Sequence, residues 1–255
     1  MILTALLLLM AEPMAGDRSR YATCLALAKS APGRAIESAQ AWRVENGGMA
    51  ALHCLALAQF ERKDYAAAFT SFDAAVKASQ RTGDGQVVVL LSQAADAALL
   101  AGQPETALGF LDRAISSGGG AAATGSDATA ISPRVEAALR VTRAETLVEL
   151  KRDKAAAADL VRATALFPDV RDGRLLQATL ARRMGDLPLA EAAILAAAAQ
   201  TPDSAEVQYE AGNIAAARGN FGLAKTAWIA AAAAEPDSIA GQAAARALKA
   251  ATVVP

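Results

Sequence analysis

The chain has one histidine, His53, and only two cysteines, Cys24 and Cys54. That inventory is too small for a zinc set, which draws on three or four nitrogen, sulfur or carboxylate ligands held close together. Nucleophilic catalysis is equally short of parts. His53 stands next to Cys54, and adjacent helical residues point about 100° apart, so the two do not form a dyad. No G-x-x-x-x-G-K-[ST] phosphate loop occurs, and the glycines at 118–120 read as loop composition. No catalytic residue, metal or cofactor is therefore expected, and the chain does not read as an enzyme. Aromatics make up 4% of residues, and 25 basic against 26 acidic residues give a net charge of −1. Without a basic stripe or stacking rings, nucleic acid is not an expected partner. The longest apolar run near the start, residues 2–11, has ten residues. As a helix it would span ~15 Å, about half a bilayer core, so no membrane span is expected.

That run has the length of a signal-peptide core, and residues 1–15 are read as a signal peptide cut after Ala15. Export to the periplasm is then favoured over a cytoplasmic location. Two features run against it: no Lys or Arg precedes the run, and Pro13 occupies the third position back from the cut. The competing readings are a mis-set start codon and a buried apolar turn. A lipid anchor is not expected, because Cys24 follows Tyr-Ala-Thr and is separated from the apolar run by Asp17, Arg18 and Arg20.

Apolar residues make up 54% of the chain, many of them alanine, the best helix former. Within this background Pro-Asp recurs at a fixed interval: Pro168, Pro202 and Pro236 are 34 residues apart. The last period, 205–238, has small residues at Gly212, Ala224 and Ala231, a large one at Trp228, and Gly219-Asn220 in its middle. Gly219 can end a first helix in the left-handed conformation and Asn220 can cap a second. Pro236 then stops the second helix, and Asp237 or Ser238 can cap the next. Pro-Asp is thus a stop-and-restart signal between helical hairpins.

This pattern resembles the tetratricopeptide repeat, whose period is 34 residues. Unit 171–204 carries Ala178, Ala190 and Ala197 with the turn Gly185-Asp186. Unit 137–170 carries Ala144, Ala156, Leu160 and Ala163; unit 88–121 carries Ala95, Gly102, Ala107, Leu111 and Ala114; unit 49–82 carries Ala56, Ala68, Phe72 and Ala75. A degenerate unit at about 16–48 keeps Ala35 but has Thr23 and Trp42 at small positions. The resemblance implies an all-α fold, a right-handed superhelix (α-solenoid) of antiparallel helix hairpins with five to six repeats and a C-terminal capping helix. The expected organisation is a first block of repeats at 16–121, a Gly/Ala/Ser-rich loop at 122–132, a second block at 133–238, and the capping helix and tail at 239–255. The loop composition lacks helical periodicity and marks the expected point of first proteolytic cutting.

In the resembling family the first helices of the repeats line a concave groove that takes peptides. Carried over by repeat position, the candidate binding residues are His53, Phe60, Glu145, Glu149, Arg182, Arg183, Tyr209 and Asn213. Some members clamp a peptide C-terminus with Lys, Asn and Arg at these places. Here the fifth position of each unit lacks Lys and Asn213 stands nearly alone, which argues against recognition of acidic chaperone tails. Glu145 and Glu149 would face Arg182 and Arg183 from a neighbouring unit, either to bind a partner or simply to pair with each other. Cys24 and Cys54 fall on the first helices of adjacent units, and an even cysteine count in an exported chain favours a disulfide between them. The alternative is two buried thiols. The function implied is a scaffold or adaptor that binds a protein or peptide partner. The second reading is a structural module of the cell envelope that self-associates into a homo-oligomer through its alanine-rich faces.

Overall fold

The structure, a computed structural model, describes residues 12–118 and 131–253. The apolar run at 2–11, read as a signal-peptide core, and residues 119–130 of the Gly/Ala/Ser-rich stretch lie outside the described residues. The expected cut after Ala15 falls in the first turn of the first helix. The described residues form thirteen α-helices and no strand. The chain divides into two compact units at Ile131/Ser132.

The N-terminal unit contains three hairpins: α1 (Glu12–Ser30) with α2 (Pro32–Val44), α3 (Gly48–Glu61) with α4 (Tyr65–Thr82), and α5 (Val87–Leu100) with α6 (Pro104–Gly118). The C-terminal unit contains three more: α7 (Pro133–Glu149) with α8 (Asp153–Leu166), α9 (Arg171–Arg183) with α10 (Leu187–Gln200), and α11 (Ala205–Ala217) with α12 (Phe221–Ala234). A closing helix, α13 (Ile239–Val253), follows. Within the C-terminal unit each first helix packs on its own second helix and on the next first helix: α7 meets α9, α9 meets α11, and α11 meets α13.

The 34-residue pattern explains this packing atom by atom. The alanines at the three small positions of every unit from Ala56 to Ala231 are completely buried, because the two helices of each hairpin touch there. Where a hairpin opens toward the next, one large side chain per repeat fills the gap: Phe72, Leu111, Leu160, Ile194 and Trp228, all buried. Gly212 is required rather than merely tolerated. A Cβ at that position would lie 2.4 Å from the Trp228 indole, whose Nε1–H donates to Asn213 Oδ1 at 3.1 Å. Trp42 departs from the small residue expected at its position and is nonetheless buried. It fits because Gly47, which has no Cβ, lies against its ring.

The helix ends follow the same chemistry. Asp186 and Asn220 accept from the backbone N–H groups of Leu189 and Leu223 at 3.2 and 3.1 Å, and Ser238 accepts from Gly241 at 3.0 Å. The α9–α10 and α11–α12 turns pass through left-handed glycines, Gly185 and Gly219. The corresponding turns after α3 and α7 place lysines there instead, Lys63 at φ 63° and Lys151 at φ 60°. A side chain in that region costs about 1–2 kcal/mol, partly offset by the greater freedom glycine loses on folding. Lys63→Gly and Lys151→Gly are each expected to raise stability by about 1 kcal/mol, read as a higher urea midpoint at unchanged slope.

Candidate functional site

Four first helices of the C-terminal unit build one open cleft of about 500 Å³. Helix α7 supplies Glu145; α9 supplies Asp172, Leu175, Leu176 and Thr179; α11 supplies Glu206, Tyr209 and Glu210; α13 supplies Ile239, Ala240 and Ala243. The spacing of these residues follows from the fold. First helices stack side by side, so equivalent repeat positions line up across them: Leu175, Tyr209 and Ala243 are one such row, and Asp172, Glu206 and Ala240 are another. The floor is apolar and the rim is acidic. Among the described residues no Lys or Arg lines the cleft. Burial, and secondarily the negative charge of Asp172, push the Glu145 carboxyl above the usual carboxylate range.

Two of the eight sequence-level candidates, Tyr209 and Glu145, face this cleft. Three others are committed inside the fold. Arg182 makes a two-point ion pair with Glu210, Nε to Oε1 at 2.6 Å and Nη2 to Oε2 at 3.1 Å, which ties α9 to α11. Asn213 donates to the same carboxylate at 3.3 Å while accepting from Trp228. Arg183 pairs with Asp153 of α8 at 2.8 Å. Pairing of Arg182 and Arg183 with Glu145 and Glu149, one of the two expectations for these residues, does not occur. Glu149 is exposed at the end of α7. Alanine at Arg182 would therefore report on folding, because it strips the ion pair from Glu210, which is only 5% exposed, and alanine at Asn213 would do so by leaving the Trp228 indole N–H without its acceptor.

In the N-terminal unit, Phe60 packs edge-on against Tyr65 across the α3–α4 turn, with centroids 5.3 Å apart. His53 spends both ring nitrogens: Nε2–H donates to Gln93 Oε1 at 2.9 Å, and Nδ1 accepts from the Tyr21 hydroxyl. This is a neutral imidazole, and burial holds its pKa below the ordinary histidine value. The sign of the resulting pH dependence follows from linkage. Above about pH 6.5 both folded and unfolded states are neutral at His53 and it contributes no slope. Below that, the unfolded chain takes up a proton that the folded chain does not. Stability should then fall, by up to ~1.4 kcal/mol per pH unit, until the folded state also protonates. Urea unfolding of the N-terminal unit between about pH 7 and 5.5 reads this slope, and His53→Gln should abolish it.

Cys24 of α1 and Cys54 of α3 are joined in a disulfide, with Cα atoms 6.0 Å apart, and both are buried beside Ala39 and Leu55. Among the described residues no group of three or more His, Cys, Asp and Glu side chains is placed to hold a metal ion. Among them, too, no helix is long and apolar enough to cross a membrane.

Neither a protein-family model nor a curated protein matches the sequence. Solved structures do match. PilW, a widely conserved type IV pilus biogenesis factor, is 16% identical, with a TM-score of 0.65 over 89% of this chain and 97% of its own. MamA is 15% identical, with a TM-score of 0.60 over 74% and 92%. YrrB, a TPR protein with an unusual peptide-binding site, is 19% identical, with a TM-score of 0.57 over 77% and 91%. At such identities the likeness speaks for the backbone. Together with the 34-residue register and six helix hairpins among the described residues, it identifies this chain as an all-α helical solenoid of the tetratricopeptide-repeat fold.

Proposed function

We propose that the protein is an interaction scaffold that holds a segment of a partner protein in the cleft formed by α7, α9, α11 and α13. The observation that carries this reading is the cleft itself. It is open, large enough for several side chains, and leaves apolar surface uncovered, with Ile239 88% exposed at its wall. Clefts of this size that combine apolar surface with polar groups able to orient an occupant are the usual form of a binding site. Peptide binding by the similarly folded YrrB accords with it. The disulfide between Cys24 and Cys54 supports export, because such bonds persist in oxidising compartments. The adaptor would then work in the periplasm. Filling the cleft tests the reading: Thr179→Trp should abolish capture of the partner from an extract of the source cells, with the helical signal retained. Capture that survives this substitution would place binding elsewhere.

A second reading, self-association, is favoured by one observation. The second helices α10 and α12 expose Leu195, Leu223 and Ile229, and a smaller cleft of about 330 Å³ lies among α10, α11 and α12. Size-exclusion chromatography with light scattering separates the two. The scaffold reading predicts a monomer, and self-association predicts a stable oligomer of the chain alone.

A further inference from the structure

We infer that the segment taken by this cleft is cationic, an extended stretch of chain carrying lysines or arginines among apolar residues. The inference rests on the reading of the cleft as a binding groove and adds the chemistry of the occupant. Three carboxylates converge on the cleft from three different helices: Glu145 from α7, Asp172 from α9 and Glu206 from α11. Among the described residues none of the three has an ion pair. Other carboxylates of the C-terminal unit are paired. Glu136, Asp153, Asp159 and Glu191 are each matched by an arginine, and so is Glu210, the fourth carboxylate of the cleft, which Arg182 neutralises. Among the described residues no Lys or Arg lines the cleft beside Glu145, Asp172 and Glu206.

Burial, and secondarily repulsion from Asp172, disfavours the charged form of Glu145. A bound cation relieves that repulsion, and an anionic tail would add to it. The site does not suit a bare metal ion, since no set of metal ligands forms among the described residues. Leu175, Tyr209 and Ile239 call for apolar groups between the charges. Four helices at the usual spacing of 8–10 Å span roughly 25–30 Å, the length of about eight extended residues.

The test is fluorescence anisotropy with the full chain and two dye-labelled peptides of about ten residues. One carries four lysines and three leucines among serines; the other replaces the lysines with glutamates. The lysine probe should bind, and the glutamate probe should bind at least tenfold more weakly. Glu145→Gln, Asp172→Asn and Glu206→Gln together keep the shape of the rim and remove its charge. The triple variant should weaken the lysine probe about tenfold. Ile239→Ala, at an exposed position that folding does not need, should weaken it several-fold. Lysine-probe binding that is indifferent to the triple variant but sensitive to Ile239→Ala would overturn the cationic inference and leave the groove standing. Equal or tighter binding of the glutamate probe, again sensitive to Ile239→Ala, would do the same. Absence of binding by both probes, or binding untouched by every substitution, would overturn the groove as well.

Discussion

Asp159→Ala should cost the C-terminal unit about 3–5 kcal/mol, the largest effect expected of any single substitution in this protein. Asp159 lies on α8 and is only 4% exposed. Its carboxylate accepts from Arg140 Nη1 at 2.9 Å and from Arg143 Nε and Nη2 at 2.6 and 2.5 Å, both arginines coming from α7. Removing the carboxylate takes from Arg140 and Arg143 the counter-charge they share at the α7–α8 interface, while Glu136 stays bonded to Arg140. The penalty comes mainly from two partly buried charges losing a shared counter-charge and only in small part from the lost bonds. A control separates the two. Asp159→Leu with Arg140→Met and Arg143→Leu removes the charges together and should recover most of the stability. Thermal unfolding monitored by circular dichroism would show the single variant melting roughly 10–15 °C lower. A loss under about 1 kcal/mol would mean that α7 and α8 are held by their alanine contacts alone.

Reduction of the disulfide should be nearly as costly, and its effect should be confined to the N-terminal unit. Cys24 and Cys54 are separated by 30 residues. Closing a loop of that length removes unfolded-state entropy worth about 3.5 kcal/mol. The bond also ties α1 to α3. Cys24→Ser with Cys54→Ser should lower the urea midpoint of the N-terminal unit and leave the transition of the C-terminal unit unchanged. Protein isolated without reductant should show no titratable thiol after denaturation. Two thiols per chain would remove both the bond and its support for export.

Sequence periodicity resolves positions along a helix well, and the architecture is a matter of such positions. The proline spacing, the buried alanines and the caps at Asp186 and Asn220 depend on local backbone chemistry, and all were legible. So was the neighbourhood of Cys24 and Cys54, because repeat register decides which helices are adjacent. Register does not decide where the end of a long side chain goes. Arg182 reaches Glu210 on the following first helix, and Arg183 reaches Asp153 on the preceding second helix, although Glu145 and Glu149 occupy groove positions in the neighbouring repeat. Glu210 and Asp159 gave no signal in the sequence, since a buried carboxylate on a helix is spelled like an exposed one. The cleft was legible only in outline. Glu145 and Tyr209 line it as their repeat positions imply, whereas Asn213 is turned inward to Trp228. Trp42 looked out of place until the missing Cβ of Gly47 accounted for it.

A photo-crosslinking amino acid placed in turn at Thr179, inside the cleft, and at Leu195, on α10 and 65% exposed, tests the binding groove most directly. Both variants would be irradiated in the source cells and their adducts resolved by mass. If the cleft is the binding groove, Thr179 forms an adduct with a different protein and Leu195 does not. Adducts that form only from Leu195, with a foreign protein or with a second copy of the chain, would contradict it.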